Sequence, residues 1–507
     1  LIYLFAFTYG GLAASRCLRM DQAIAYLGGL RLLDGQVLYQ DFALPHGPVS
    51  VWVFALLLKI TPTGGWAVVL GSGLLNLMVS SLIGRILLKV LASKIYAAAG
   101  ALLTAIWFTP VYGWIYIDHL AFAFVLASAA PLCMGLRSKT HLACSALAGV
   151  FAFHTKITIA IPGLLALILS LILAGGKRAA FDRRFFTWLA MLLVFFAASV
   201  IFIRLQYPWQ NYLVANYSNP IDYWFHADSP KRILNLIYNC VLPFGINPVR
   251  MMTELGSGRI LFYPIIIMIY AAYLVPFRTQ LNRDAKFALY TLIFTTIFCG
   301  AMIGRNHTHL FFGCGGIAAF VLWSEKRIHK SVKLLLVIWI GMAGMIISEH
   351  ESTFFPSKQS RTFNHSDLYP VRIQAASENS FNLRVFELAK QSTAKWALLT
   401  DRQGFLPLMA ARIAPINYEL LHHDGLTIPS DERGREYWQT QTISKLNRYQ
   451  DLLIITDQTV ENGFRSVKDD GSDSGRPVPM IQGYLDTNFA KIFSDSHGTI
   501  WERHVTR

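Results

Sequence analysis

The chain has 507 residues, 54% of them hydrophobic and only 15% charged, with a mean hydropathy of +0.41. Soluble domains carry about 25% charged residues, so this composition excludes an ordinary soluble protein and indicates a polytopic membrane protein. The formal net charge of +15 sits mostly in short loops between apolar runs, where retention of Lys and Arg on the cytoplasmic side accounts for it, so no nucleic-acid partner is implied.

Residues 1–14, LIYLFAFTYGGLAA, are apolar but shorter than the roughly 20 residues that cross a bilayer. The chain is expected to begin inside its first helix. The next stretch, 20–48, is a polar loop between apolar segments and holds three acidic residues, Asp21, Asp34 and Asp41. A carboxylate at the edge of a bilayer is costly unless it is solvated, paired or used, so a functional reading starts here. The segment 48–60, PVSVWVFALLLKI, is too short to span and reads as an interfacial or re-entrant helix.

Spanning runs are expected at 66–84, 95–112, 119–136, 141–154, 157–174, 185–203, 260–277, 287–303, 309–324 and 334–348, eleven with the short first segment. This assignment puts Arg85, Lys89 and Lys94, Arg137 and Lys139, Lys177 to Arg184, Arg278 to Lys286, and Lys326 to Lys333 on one side, cytoplasmic by the positive-inside rule. The other side receives 15–47, 113–118, the 154–156 junction, 204–259 and 304–308. Counting 48–60 as a full span would scramble that alternation.

After Ser348 the composition changes. Residues 351–370 read as a polar linker and 371–507 as a soluble domain, with WALLT and DLLIIT as buried strands and helices over 371–392 and around QTISKLNRYQ, a small α/β unit. An odd number of spans places this domain on the side of the acidic loop. All six cysteines lie in or beside apolar segments with no CxxC pair, so neither a disulfide framework nor a thiolate metal site is implied.

The unusual polar groups share the outer side: Asp21, Asp41 and His46 in the first loop, Asp118 and His119 in the second, Lys156 in the third, and Arg305, His307 and His309 in GRNHTHL. Carboxylates with Lys, Arg and His at one leaflet could supply a base and a cradle for a phosphate. Each has a plainer reading. Asp21 and Asp118 could cap the helices that follow them, Asp41 and Asp34 could order turns, Lys156 could snorkel, and His46 could orient the Gly-Pro turn. Trp107, Tyr112, Trp114 and Tyr116 suit an interfacial belt. Sequons occur at Asn216, Asn306 and Asn364, all outside by this topology.

The succession LLDGQVLYQDFALPHGP, WFTPVYGWIYIDHLAFAFVLA and FHTKITIAIPGLLAL resembles the polyprenyl-phosphate-sugar-dependent glycosyltransferases of the GT-C class, in particular the protein-mannosyltransferase-like (family 39) and RgtA/B/C/D-like group. The resemblance covers about residues 1–350, and the tail YLDTNFAKIFSDSHGTIWERH is similar to extracytoplasmic ends in that group. It implies a transmembrane GT-C-like domain over 1–350 with an extracytoplasmic α/β domain at 371–507. The implied activity is transfer of a hexosyl or pentosyl unit from a polyprenyl-phosphate carrier to a lipid, glycan or protein acceptor outside a plasma or inner membrane, with inversion. The family's first-loop acid maps onto Asp21 and its second onto Asp118, while Asp41, His46, Lys156, Arg305, His307 and His309 would contact substrate. Where the family often has Asp-Glu this chain has Asp21-Gln22, and His46-Gly47-Pro48 stands for His-Pro-Pro. The first departure removes a supporting carboxylate, so no metal ligands are assigned, although a divalent cofactor stays open.

The alternative class is a transporter or a flippase of envelope glycan precursors. It would want ionisable groups mid-span and repeated halves, neither of which is visible here. A third reading is an inactive binding or assembly subunit.

Overall fold

The structure is a computed structural model. It describes residues 1–14, 20–44, 46–62, 64–91, 93–108, 117–136, 138–175, 183–218, 283–303, 329, 331–335, 337–338, 341–342, 362–363, 373–374, 380–399, 408, 411–416, 432–456, 479–495 and 498–504. The described helices are α1 (Ile2–Ala14), α2 (Met20–Leu33), α3 (Pro48–Ile60), α4 (Gly64–Leu91), α5 (Lys94–Phe108), α6 (Ile117–Cys133), α7 (Lys139–Phe153), α8 (Ile157–Gly175), α9 (Arg183–Gln206), α10 (Trp209–Leu213), α11 (Arg283–Ile303), α12 (Ser380–Gln391), α13 (Glu432–Leu446) and α14 (Pro479–Asn488). The strands are β1 (Thr362–Phe363), β2 (Ile373–Gln374), β3 (Lys395–Leu399), β4 (Leu452–Thr456), β5 (Phe489–Asp495) and β6 (Gly498–Arg503).

Three described helices are long and apolar enough to cross a membrane: Gly64–Leu91, Ile157–Ala174 and Arg183–Gln206. Ile2–Leu12, Lys94–Ile106, Ile117–Cys133 and Lys139–Phe153 are apolar but shorter. The expected spans 260–277 and 309–324 lie outside the described residues, and 334–348 is described only in part. Residues 20–33, read from the sequence as part of a polar loop, form α2.

The chain divides into two compact units, the first comprising Leu1–Cys17, Val68–Phe202 and Asp228–Phe355, the second Leu18–Ala67, Ile203–Ala227 and Pro356–Arg507. In the first, Asn76 of α4 donates its amide to Ala6 O (2.9 Å) and Ala105 O (3.1 Å), tying α1, α4 and α5 together. Such a bond between apolar helices fixes their register, because a side-chain amide in an apolar interior needs a partner. Helix α11 lies along α8 and α6. Its Cys299 thiol reaches Ile159 O at 3.6 Å near the start of α8. A Cβ at Gly163 would sit 2.6 Å from Val125 Cγ1 and 3.2 Å from Cys299 Sγ, so only glycine lets α8 approach α6 and α11 this closely.

At its other end α11 begins beside the α6–α7 turn. There a Cβ on Gly135 would lie 3.6 Å from Arg184 Nη1 and 3.8 Å from Asp284 Oδ2. The first turns of α9 and α11 therefore share one end of this bundle, while the start of α8 and the last turns of α11 share the opposite end.

In the second unit α2 packs along α3. Helix α2 ends in a left-handed Gly35 (φ 81°), with Gly35 N–H bonded to Leu32 O (3.2 Å) and Gln36 N–H to Arg31 O (2.9 Å). This closing turn satisfies the last carbonyls and sends the chain back across the helix end. Pro48 opens α3 at its first position behind Gly47, where a missing N–H costs nothing.

The C-terminal residues form a four-stranded sheet in the order β3-β4-β6-β5, with β3 and β4 parallel and the other neighbours antiparallel. The runs WALLT and DLLIIT supply β3 and β4, the parallel pair, with β4 inside the described sheet and β3 at its edge. Ala397, Ile454, Trp501, Leu446, Ile481 and Leu485 fill the core against α13 and α14. Trp501 buries its ring and donates Nε1–H to Thr456 Oγ1 at 2.8 Å, so its one polar atom is satisfied. Strands β1 and β2 pair antiparallel on their own.

Candidate functional site

In the first unit two residues singled out from the sequence meet. Asp118 stands in the first turn of α6 and is 2% exposed. Lys156 follows the end of α7 and supplies the carbonyl that accepts the Ile159 and Ala160 N–H groups opening α8. Its Nζ lies 2.6 Å from Asp118 Oδ1. Lys156 keeps about a quarter of its side chain exposed, so the pair forms at a rim rather than in a sealed core. A carboxylate this deeply buried is tolerable because of its position at a helix N-terminus and its cationic neighbour.

The pair is framed by ordered groups. His119, 1% exposed, meets the Phe108 ring edge to face at 5.3 Å. His154, which caps α7, is buried, stacks on Phe196 at 5.9 Å and shares a 2.8 Å hydrogen bond with Ser199. These contacts fix the α7–α8 corner that carries Lys156. The same end of the bundle receives the last turns of α11, which precede Arg305, His307 and His309 in the sequence. Those three lie outside the described residues, as do the sequons at Asn306 and Asn364.

The second unit holds the first-loop residues. Asp21 is the second residue of α2, so it lies within the helix rather than ahead of it as a cap. Asp41 Oδ2 accepts the Val37 N–H at 2.7 Å, the local turn bond expected of Asp in YQDF. Asp34 is half exposed and lies 4.0 Å from Lys395 Nζ. His46 lends its main-chain carbonyl to the Tyr39 hydroxyl at 3.1 Å.

Sequence reasoning missed Tyr39 as the hub of this loop. It is fully buried with a left-handed backbone (φ 65°), which a bulky side chain adopts only when its surroundings hold it there. Tyr207 and Tyr212 meet its ring edge to face at 5.6 and 5.3 Å. Asn211 Nδ2 donates to its carbonyl (2.7 Å), and Asn216 Nδ2, in a π-helical turn (Val214–Ser218), donates to its hydroxyl (2.9 Å). Asn216 also donates to Tyr212 O at 3.0 Å and is buried, so this sequon is taken up inside the fold.

Arg31 was likewise missed. Its guanidinium is buried over the Phe42 ring at 5.0 Å, and burial pushes it down to about 9, against the pull of Asp41. Burial and the nearby Arg31 push the Lys445 ammonium down to about 8, partly offset by Asp41.

Among the described residues no group of three or more His, Cys, Asp or Glu is arranged to hold a metal ion. Asp118 is paired with the Lys156 ammonium, and no step is routed through a metal.

No family model matches the chain, and no curated protein does. Solved structures similar to it include the Archaeoglobus fulgidus oligosaccharyltransferase tethered to an acceptor peptide containing the NVT sequon (10% identity, 99% of this chain and 74% of that one, TM-score 0.47). ArnT from Cupriavidus metallidurans is similar in the apo state (12% identity, 98% and 96% of the two chains, TM-score 0.45) and bound to undecaprenyl phosphate (12%, 100% and 97%, TM-score 0.42). With TM-scores below 0.5 these stand as similarities alone, and the functional reading rests on this chain's own residues.

Proposed function

We propose that the protein is an integral-membrane glycosyltransferase that moves a sugar from a polyprenyl-phosphate carrier to an acceptor on the outer side of a plasma or inner membrane. The observation that carries this reading is the Lys156–Asp118 pair, 2.6 Å apart, at the end of its bundle opposite the Arg184 and Asp284 end. A buried acid with a rim cation on the side poor in Lys and Arg is a chemical resource there, since retention of positive charge does not explain it.

A sugar joined through C1 to a lipid phosphate already has a good leaving group, so the enzyme needs a base more than an acid. Asp21 takes the proton from the acceptor hydroxyl, the acceptor oxygen bonds to C1, and the C1–O bond to the phosphate breaks. The configuration at C1 inverts, and the electron pair leaves on the polyprenyl phosphate. Lys156 and Arg305 stabilise that departing charge, Asp118 holds Lys156 in position, and His307 and His309 contact sugar or phosphate. Asp41 and His46 shape the acceptor side through the loop they order.

The test is mass spectrometry of lipids and envelope glycans from cells with the gene, without it, and with Asp21→Asn. Loss of one glycosylated product with accumulation of the lipid-phosphate sugar in both altered strains, at normal protein levels, supports the reading. Unchanged glycans in the Asp21→Asn strain would remove Asp21 from the mechanism.

A further inference from the structure

The loop between α2 and α3 is held from several sides within its unit. Its own main chain closes it, with Tyr39 N–H bonded to Phe42 O (2.6 Å) and Asp41 N–H to Val37 O (2.7 Å). Asn211 and Asn216 grip Tyr39 from the α10 side. Two lysines approach from the C-terminal fold. Lys395, at the start of β3, is 4.0 Å from Asp34 Oδ2, with both side chains about half exposed, a pairing worth little in water. Lys445, in the last turn of α13, donates its ammonium to the main-chain carbonyl of Asp41.

Lys445 is itself rigidly mounted. The neighbouring Leu446 carbonyl accepts Arg503 Nη2 from β6 at 2.9 Å, and the same nitrogen donates to Tyr484 OH at 2.7 Å. Tyr484 OH in turn donates to Asn447 Oδ1 at 2.6 Å. The end of α13 is thus pinned to β6 and α14, and a cation at a helix C-terminus is favoured by the helix dipole. A half-buried ammonium beside the buried Arg31 is an expensive way to build a surface contact. Its partner is also informative: a main-chain carbonyl, whose position sets the loop rather than one side chain.

We propose that Lys445 is a positioning residue for the acidic loop. By holding the Asp41 main chain it fixes the direction of the Asp41 carboxylate, which the loop's own Val37 N–H already orients, and so makes the C-terminal α/β fold a working part of transfer rather than a separate recognition module. This inference rests on the glycosyltransferase reading for its functional half. Its structural half stands independently.

The experiment compares full-length wild type, Lys445→Met and Lys445→Arg in lipid nanodiscs by hydrogen–deuterium exchange, alongside envelope glycan analysis of cells carrying each variant. Met keeps the apolar stem and removes the donor, whereas Arg keeps a cationic donor. The expected result is at least tenfold faster exchange at Gln36, Tyr39 and Asp41 in Lys445→Met, with the Ala397 and Ile454 amides unchanged. The glycan product falls at least tenfold, and Lys445→Arg restores both. Loop exchange that stays at the wild-type rate in Lys445→Met overturns the proposal, and so does a loosened loop with undiminished product. If deletion of the gene alters no glycan, the glycosyltransferase reading fails, while the exchange rates still decide whether Lys445 holds the loop.

Discussion

Lys156 Nζ and Asp118 Oδ1 stand 2.6 Å apart, joining the start of α8 to the start of α6, but the two partners are buried unequally. Asp118 has almost no access to water, whereas Lys156 can turn outward. Removing the lysine therefore strands a buried charge, while removing the acid leaves a cation that can find solvent. Lys156→Met should destabilise the protein more than Asp118→Asn. The double variant should recover part of the loss, with a coupling energy of about 0.5–3 kcal/mol. Unfolding of the detergent-solubilised variants measures this, and equal losses for the two single changes would contradict the asymmetry.

Gly163 is where α8 passes closest to α6 and α11. Gly163→Ala pushes a methyl group into the Val125 side chain, an overpacking expected to cost about 1–3 kcal/mol, and Gly163→Leu should cost more. Thermal unfolding of both variants checks the order. An alanine variant as stable as the wild type would mean that the helices can separate there without loss.

Asn216 spends its side-chain amide on Tyr39 and Tyr212 inside the fold. Asn216→Ala leaves a buried tyrosine hydroxyl and a carbonyl short of a donor, at about 1–3 kcal/mol. The sequon at this position should also stay unmodified in a glycosylating expression host. A glycosidase-sensitive mobility shift that Asn216→Gln abolishes would contradict the buried placement.

The cations beside the acidic loop give a pH signature. Lys445 is pushed down to about 8 in the fold, first by burial and then by Arg31, from an ordinary value of 10.5. Between those values the unfolded chain binds more protons than the folded one, so stability rises with pH across that window. Below pH 8 both states carry the proton and the penalty is present in full. The stability of the wild type relative to Lys445→Met should therefore be flat below pH 8 and rise from pH 8 to 10.5, whatever the two proteins' difference at pH 7. Arg31 titrates later and is common to both proteins. Parallel unfolding curves across that range would contradict this environment for Lys445.

Much of this architecture was legible because the pattern was local. The parallel strands β3 and β4 were readable as unbroken apolar runs, and Gly47-Pro48 marks the start of α3 as its chemistry requires. The pairing of Asp118 with Lys156 was not readable, because each residue was conspicuous alone and nothing in the spacing of distant residues fixes a contact. Tyr39 and Arg31 were missed for a related reason. An aromatic in a turn and a charge on a helix look solvated until the elements packed over them are known. Strands β5 and β6 escaped because FAKIFSD lies half exposed, its burial alternating with a break at the bulge between Lys491 and Phe493.

Transfer at the outer surface requires the acidic loop to face outward. Single cysteines at the exposed positions Asp34 and Ser138, in a protein freed of its six native cysteines, can be challenged on intact cells with a membrane-impermeant maleimide. The prediction is that position 34, beyond α2, labels at once, while position 138, before α7, labels only after permeabilisation. Labelling of position 138 from outside with position 34 protected would contradict transfer at the outer surface.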